Sequence, residues 1–423
     1  MSRRILRLDR RGFLKLSAAT TLGFASAGGR TASWKAAGTE RRLSDNAGQR
    51  AGQRPLKLFL CGDVMTGRGI DQILPHPGDP RIYEPYMTSA RGYLKLAERA
   101  NGPIPRPVGF DYIWGDALEV LACAAPDARI VNLETALTRS DEYWPGKGIN
   151  YRMNPDNVAC ITAAQIDCCV LANNHVLDWG YGGLADTLQS LHAPGLATAG
   201  AGLNRAQARA PAIIEAATGG RVIVFAFGAT SSGIPRAWAA QPARPGVNLL
   251  PDVSPATVRR IADHVAAVKR PGDIAVASIH WGGNWGYAVP DQHRSFAHRL
   301  IDGAGIDVIH GHSSHHPKCI EVYEGKLILY GCGDFLNDYE GIRGYEAYRG
   351  DLALMYLPEF DPRGGRLTRL EMVPLQMRRF SLHLASDQDA RWLAERLDRE
   401  ASGEAAGVRL RDDNVLVLDH GSR

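Results

Sequence analysis

Beyond its amino-terminal segment, this 423-residue chain has no run approaching the ~20 consecutive apolar residues of a membrane helix, which excludes a span in the mature protein. It has no internal repeat, which excludes a solenoid. Its seven cysteines are an odd number without zinc-type spacing, and most lie in apolar runs. They read mainly as core thiols, with room for a disulfide or two in an oxidising compartment. Charge is sparse, at 22% of residues, and positive charge is scarce in the part that folds. Residues 1–27 carry six basic side chains against one acid and residues 28–54 six against two, so the chain's net +4 leaves −5 over residues 55–423. That balance excludes a general affinity for nucleic acid.

What is present is a large core, since 45% of the residues are hydrophobic. The amino terminus, "DRRGFLKLSAATTLGFASA", has paired arginines, a moderately apolar stretch and then Ala25-Ser26-Ala27. This order resembles a twin-arginine export signal over residues 1–27, implying a periplasmic or other extracytoplasmic destination. That pathway carries folded proteins, often ones already holding a metal or cofactor. Residues 28–54, rich in Gly, Ala, Ser and Arg, read as a flexible linker, and residues 55–423 as one folded domain.

From Pro55 onward short β-branched or apolar runs alternate with longer amphipathic ones, the pattern of an α/β fold with largely buried strands. The expected strands are "LKLFLCGD", "ARIVNLE", "DCCVLANN", "RVIVFAFG", "DIAVASIHW", "IDVIHG", "KLILYGCGDF", "LALMYL" and a final "NVLVL". The segment "SPATVRRIADHVAAVKRPG" reads as a helix, with Ser254 as N-cap, Pro255 at the first position and Pro271-Gly272 as the stop. "GGLADTLQSLHAPG", "SFAHRLIDGAG" and "SDQDARWLAERLDREA" read the same way.

Polar residues gather where these strands end. Gly62-Asp63 follows the first and Asn132-Leu133-Glu134 the second; Asn173, Asn174, His175 and Asp178 follow the third. His280 ends the fifth, and His310, His312, His315 and His316 crowd the end of the sixth. Gathered at one sheet edge, this mixture of carboxylate, amide and imidazole suits zinc, manganese or iron, and two carboxylates can bridge or anchor a pair of cations.

In this order, "GDVMTGR", "NLE", "NNHVLDWG", "HWG", "GHSSH" and "YGCGDF" resemble the motifs of the poly-gamma-glutamate capsule biosynthesis (CapA) family, related to the calcineurin-like metallophosphoesterases. The resemblance runs from about Lys57 to Phe335. It implies a four-layer αββα sandwich, metallophosphatase-like, with two divalent metal ions (Mn, Fe or Zn) at one sheet edge. Carried over, Asp63, Glu134, Asn174, His280, His312 and His315 would be metal ligands and His175 the general acid. Asp178 would orient His175 by accepting its other N–H. Arg68 would bind a phosphate or carboxylate through its fork, or else make a surface salt bridge.

The implied activity is a metal-dependent hydrolase of phosphoester type in capsule or envelope polymer biosynthesis. Its partners would be an anionic polymer or phosphoester substrate and an envelope polymer-synthesis complex. Two other readings use the same sequence: a non-catalytic component that binds or guides poly-gamma-glutamate, and a metal-dependent gamma-glutamyl amidohydrolase. The chain departs from the family pattern at Asn284, at Ser313-Ser314-His315 and at Asp334. Asp334 is read as a turn former, with an extra metal ligand as the alternative. His293 and His298 are read as solvated helix positions. Trp281, Trp285 and Tyr287 either wall a substrate cleft or pack into the core.

Overall fold

The computed structural model describes residues 54–216, 220–361, 363–401 and 405–420. The segments read as an export signal and, except Arg54, as a linker lie outside them. Among the described residues no helix is long and apolar enough to cross a membrane.

The fold is mixed α/β, built on a ten-stranded and a six-stranded sheet. Numbered in chain order, the strands of these two sheets are β1 Leu56–Val64, β2 Ala128–Leu133, β3 Cys168–Val170, β4 Ala197–Ala199, β5 Ala212–Glu215, β6 Arg221–Gly228, β7 Ile274–His280 and β8 Val308–His312. They continue as β9 Ile320–Tyr323, β10 Lys326–Leu329, β11 Asp334–Leu336, β12 Leu352–Phe360, β13 Leu367–Arg378, β14 Ser381–Leu384, β15 Ala405–Leu410 and β16 Leu416–His420. The large sheet runs β15-β16-β13-β12-β1-β2-β3-β4, with β11 beside β1 and β14 beside β13; the smaller runs β5-β6-β7-β8-β10-β9. In each sheet the central strands are parallel (β1 through β4, and β6 through β8 to β10), so their carboxyl ends share an edge.

Alternation along the strands sorts their side chains into separate cores. Leu58, Leu60, Ile130 and Cys168 meet Val222, Val224, Val276 and Val308 in one cluster drawn from both sheets. Phe59, Cys61, Val131 and Cys169 turn the other way, onto Trp114, Val120, Leu184 and Leu188. Ile223, Phe225, Ala275 and Ile309 turn away from the shared cluster onto Val258, Ile261, Phe296 and Leu300. Each fully buried aliphatic chain contributes roughly 1.5–3 kcal/mol to this arrangement.

The helix Pro255–Ala266 begins as its sequence dictates: the Ser254 hydroxyl accepts from Thr257 N, Pro255 fills the first turn, and Val258, Ile261 and Val265 are buried. Helix Asp291–Ala304 ends at Gly305, which takes φ +68°. Ser386 caps helix Asp387–Glu400, and β16 after it pairs with β13 of the large sheet.

Several expectations are corrected. "KLILYGCGDF" is two strands in different sheets: β10 belongs to the smaller and β11 to the larger. The chain crosses at Gly333, whose φ is +78°. There a Cβ on Gly62 would lie 1.6 Å from the Gly333 carbonyl oxygen, so only glycine lets the two segments pass. "DCCVLANN" stops pairing at Val170, because Asn173 and Asn174 leave the ladder for side-chain bonds. The twelve-residue β13 was not anticipated; Pro374 and three charged residues disguise it. His293 is buried on the helix face it shares with Phe296, Ala297 and Leu300, and its ring stacks on Trp281 at 4.5 Å. His298, also read as solvated, stacks on Tyr323 at 3.8 Å and bonds Glu321 at 2.9 Å. All seven cysteines are free, six of them buried.

Candidate metal centre

The polar strand ends converge from two sheets rather than one. β1, β2 and β3 of the large sheet bring Asp63, Glu134 and the Asn173–Asp178 turn; β7 and β8 of the smaller bring His280, His312 and the His315 turn.

Asp63 is the common member. With His280 and His312 it forms one buried group whose ligand atoms all lie within 4.8 Å, and with His315 and Asp334 a second. Asn132 Nδ2 donates to Asp63 Oδ1 at 2.8 Å, whereas Asp63 Oδ2 is buried with no N–H or hydroxyl donor, and the Glu134 carboxyl lies against Asp63. Leaving a carboxylate oxygen unpaired is costly. Faced by imidazole nitrogens, it matches the demand of a cation, and the donor set of carboxylate and imidazole suits Zn, Mn or Fe.

The other expected ligands lie against these two groups. Asn174 Oδ1 is 2.9 Å from His280 Nε2, and Glu134 Oε1 is 3.8 Å from the same nitrogen. His280 and His312 share a 2.8 Å contact between their Nδ1 atoms, so one donates and the other accepts. His315 Nδ1 lies 2.8 Å from Asp334 Oδ1, while Asn337 Nδ2 donates to Asp334 Oδ2 at 3.0 Å. Asp334, read from sequence as a turn former, therefore stands in the second group. Between the histidines, Ser313 takes φ +98°, a strained conformation for a non-glycine residue, at the point where the chain re-aims from His312 to His315.

Burial pushes the Asp63 carboxyl up to about 6. Burial, then the charge of Asp63, raises Glu134. Burial lowers His280 and His312, favouring neutral imidazoles, the form that ligates a metal. Burial also pushes His315 down, but Asp334 and then Asp63 together more than offset it and the net direction is up.

His175 sits beside this cluster, with Nε2 3.7 Å from Glu134 Oε1. Its Nδ1 is 2.6 Å from Asp178 Oδ2, which also accepts from Tyr151 N at 2.8 Å. These partners assign the proton to Nδ1 and leave Nε2 facing the cluster. Burial lowers the imidazole to about 4, so it is neutral in the metal-free protein at neutral pH. Two asparagines that sequence reasoning left without a role tie the strands together. Asn173 Nδ2 donates to Asn132 Oδ1 at 3.0 Å, Asn132 reaches Asp63, and Asn173 Oδ1 accepts from His175 N at 3.2 Å. For Asn173 the signal lay in the doubled Asn at a strand end.

Arg68 departs from both of its expected roles. It is buried and presents nothing to a ligand: its fork grips Asp338, Nη1 donates to Glu84 Oε1 at 3.0 Å, and the guanidinium lies 3.8 Å and 4.1 Å from the Tyr93 and Tyr151 rings. Tyr151 in turn packs edge-on to His175, and Tyr339 edge-on to His315. Arg68 thus supports the floor of the site.

The remaining histidines turn elsewhere. His310 bonds the Cys61 carbonyl at 2.7 Å and Ser278 at 3.0 Å; His316 faces Pro317 and Tyr348. Trp281 is core, whereas Trp285 lies 5.4 Å from His315 and stacks on the exposed Tyr345.

Residues 57–339 match the family described as bacterial capsule synthesis protein PGA_cap. A probable polyglutamine synthesis accessory protein of Mycobacterium tuberculosis is 51% identical over 365 residues, covering 85% of this chain and 95% of that protein. The PGA biosynthesis protein CapA of Bacillus subtilis is 26% identical, over 76% of this chain and 72% of its own length. The capsule biosynthesis protein CapA of Bacillus anthracis is 23% identical, over 86% and 78%. With more than half its length matched in one stretch, and its strand-end motifs assembled in space, the chain belongs to the PGA_cap (CapA) family of bacterial capsule synthesis proteins.

Proposed function

We propose that this protein is a dinuclear-metal-dependent hydrolase of capsule or envelope polymer biosynthesis, with phosphoester chemistry. The observation that carries the reading is Asp63: one carboxylate is common to two ligand groups, and the Glu134 carboxyl lies against it, so that the buried pair needs either a shared proton or a cation. Asp63, His280 and His312, with Asn174 beside them, would hold one cation; Asp63, His315 and Asp334 would hold the other, and Glu134 lies against both His280 and His175. When bound, two such cations supply Lewis acidity toward a phosphoryl oxygen and a nucleophile at neutral pH. The chain's own contribution is orientation and a proton. Asp178 fixes the His175 ring, and Nε2 is the atom placed to hold a proton for a leaving group. An anionic substrate beside it favours the charged imidazole and offsets the effect of burial.

The same reading takes the fold as a four-layer αββα metallophosphatase sandwich over residues 55–423, in keeping with the three cores described above. It takes the chain as exported by the twin-arginine pathway and working beside an envelope polymer-synthesis complex. The relatives' names concern polyglutamine and PGA synthesis, and this favours a second substrate class for the same residues, the gamma-glutamyl amide.

The test is turnover of bis-p-nitrophenyl phosphate and gamma-glutamyl p-nitroanilide by protein loaded with Mn, Fe or Zn. His175→Ala should keep its cations and lose turnover by roughly 10²–10⁴-fold. Unchanged turnover in that variant contradicts the proton role.

A further inference from the structure

The loop before the short strand Arg152–Met153 carries a cation that the hydrolase reading leaves without a task. Lys147 lies between Gly146, at φ +78°, and Gly148, and its side chain is only 15% exposed. Its ammonium donates to the Asn174 carbonyl and to Asp178 Oδ1 at 2.5 Å, and stands 3.1 Å from His175 Nδ1. That nitrogen already gives its proton to Asp178 Oδ2, so the contact with Lys147 is one of packing and charge. The loop is fastened to the same turn at two further points: Trp144 N donates to the Asp178 carbonyl at 2.7 Å, and Tyr151 N to the Asp178 carboxylate. Trp144 packs edge-on against Tyr181 and Trp238, and the ammonium itself lies 5.3 Å from the Trp238 ring.

We propose that Lys147 is a positioning residue, whose ammonium clamps Asp178 and the Asn174 main chain and thereby holds the His175 imidazole with Nε2 toward Glu134. The proposal rests on the hydrolase reading for its consequence in turnover, but not for the geometry it asserts. The physical case is one of satisfaction. Asp178 is wholly buried, and its two oxygens are filled from opposite sides, Oδ1 by Lys147 and Oδ2 by His175 and Tyr151 N. Without the ammonium, Oδ1 is left unpaired and the carboxylate is free to turn, taking the imidazole with it. Lys147 bonds the main chain of Asn174 and none of the side-chain atoms proposed to hold cations, so its loss leaves the cations in place.

The test compares the wild type, Lys147→Met and Lys147→Arg, each loaded with zinc, by metal analysis, imidazole ¹⁵N–¹H NMR and hydrolysis of bis-p-nitrophenyl phosphate. The wild type should show a low-field Nδ1–H resonance for His175, identified by its absence in His175→Ala. Lys147→Met should keep two cations, lose or broaden that resonance, and drop kcat at least 30-fold with KM within about threefold. Lys147→Arg should recover most of the resonance and part of kcat. A sharp, unshifted resonance in folded Lys147→Met overturns the proposal, as does loss of its cations. If Lys147→Met fails to fold, Lys147→Gln, which keeps an N–H donor without the charge, takes its place under the same criteria. If the wild type turns over no ester, the phosphoester reading fails alone, and the resonance still decides the role of Lys147.

Discussion

Arg68 offers a quantitative test of how the floor of the site is built. Its side chain and those of Glu84 and Asp338 are all at most 1% exposed, so one guanidinium compensates two carboxylates away from water. Arg68→Ala strands both. Breaking a buried pair by removing one partner costs about 3–5 kcal/mol, because the remaining charge is left uncompensated. Lost stacking on Tyr93 and Tyr151 adds roughly 1 kcal/mol. Part of this is recovered as Glu84 takes up a proton, since burial already raises its carboxyl. The expected loss is therefore about 4 kcal/mol, read from urea unfolding followed by tryptophan fluorescence. Arg68→Lys keeps the charge but not the fork, and should lose about 1–3 kcal/mol. Because Arg68 touches no proposed ligand, the lysine variant should still take up cations. A loss below about 1 kcal/mol for Arg68→Ala would refute the reasoning, since it would mean that the carboxylates are solvated.

Four further outcomes follow from the site and its surroundings. Asp63→Asn should lose both cations, whereas His312→Ala and Asp334→Ala should each lose one, as counted by calorimetric titration of the metal; equal losses in all three variants would argue against a shared carboxylate. Gly62→Ala should destabilise the protein by more than about 4 kcal/mol or prevent folding, because its Cβ meets the Gly333 carbonyl at 1.6 Å; normal expression and unfolding would contradict the crossing. In metal-free protein, burial raises Asp63 to about 6, so its contribution to stability is full below the ordinary carboxylate value near 4 and is lost as pH rises through about 6; burial raises Glu134 too, with the same sign. Cation binding requires those carboxylates deprotonated, so metal affinity should strengthen from pH 5 to pH 7; affinity independent of pH over that range would count against these ligands.

Much of this site was legible because parallel strands announce their carboxyl ends. Apolar runs that stop at Asp63, Asn132, Asn173, His280 and His310 mark where β1, β2, β3, β7 and β8 end, and the fold brings those ends together. Which sheet each strand joins was not legible, since buried parallel strands look alike in either. The break at Gly331-Cys332-Gly333 was hidden for the same reason, and with it the placement of Asp334 beside His315. The partners of Arg68 lie 16 and 270 residues away, a pairing that no local pattern reports. Lys147 escaped notice because it stands in a Gly/Pro loop outside the long apolar strands, and nothing in "WPGKGIN" distinguishes it from a solvated lysine. His293 was misread although its spacing to Phe296, Ala297 and Leu300 follows a buried helix face.

The most direct test of the metal centre is elemental analysis of the protein purified from its source cells without chelator. The account predicts about two equivalents of manganese, iron or zinc per chain, falling to none in Asp63→Asn. A well-folded wild-type protein without metal, and unable to take any up on titration, would contradict it and leave binding of the glutamate polymer as the better account of the same residues.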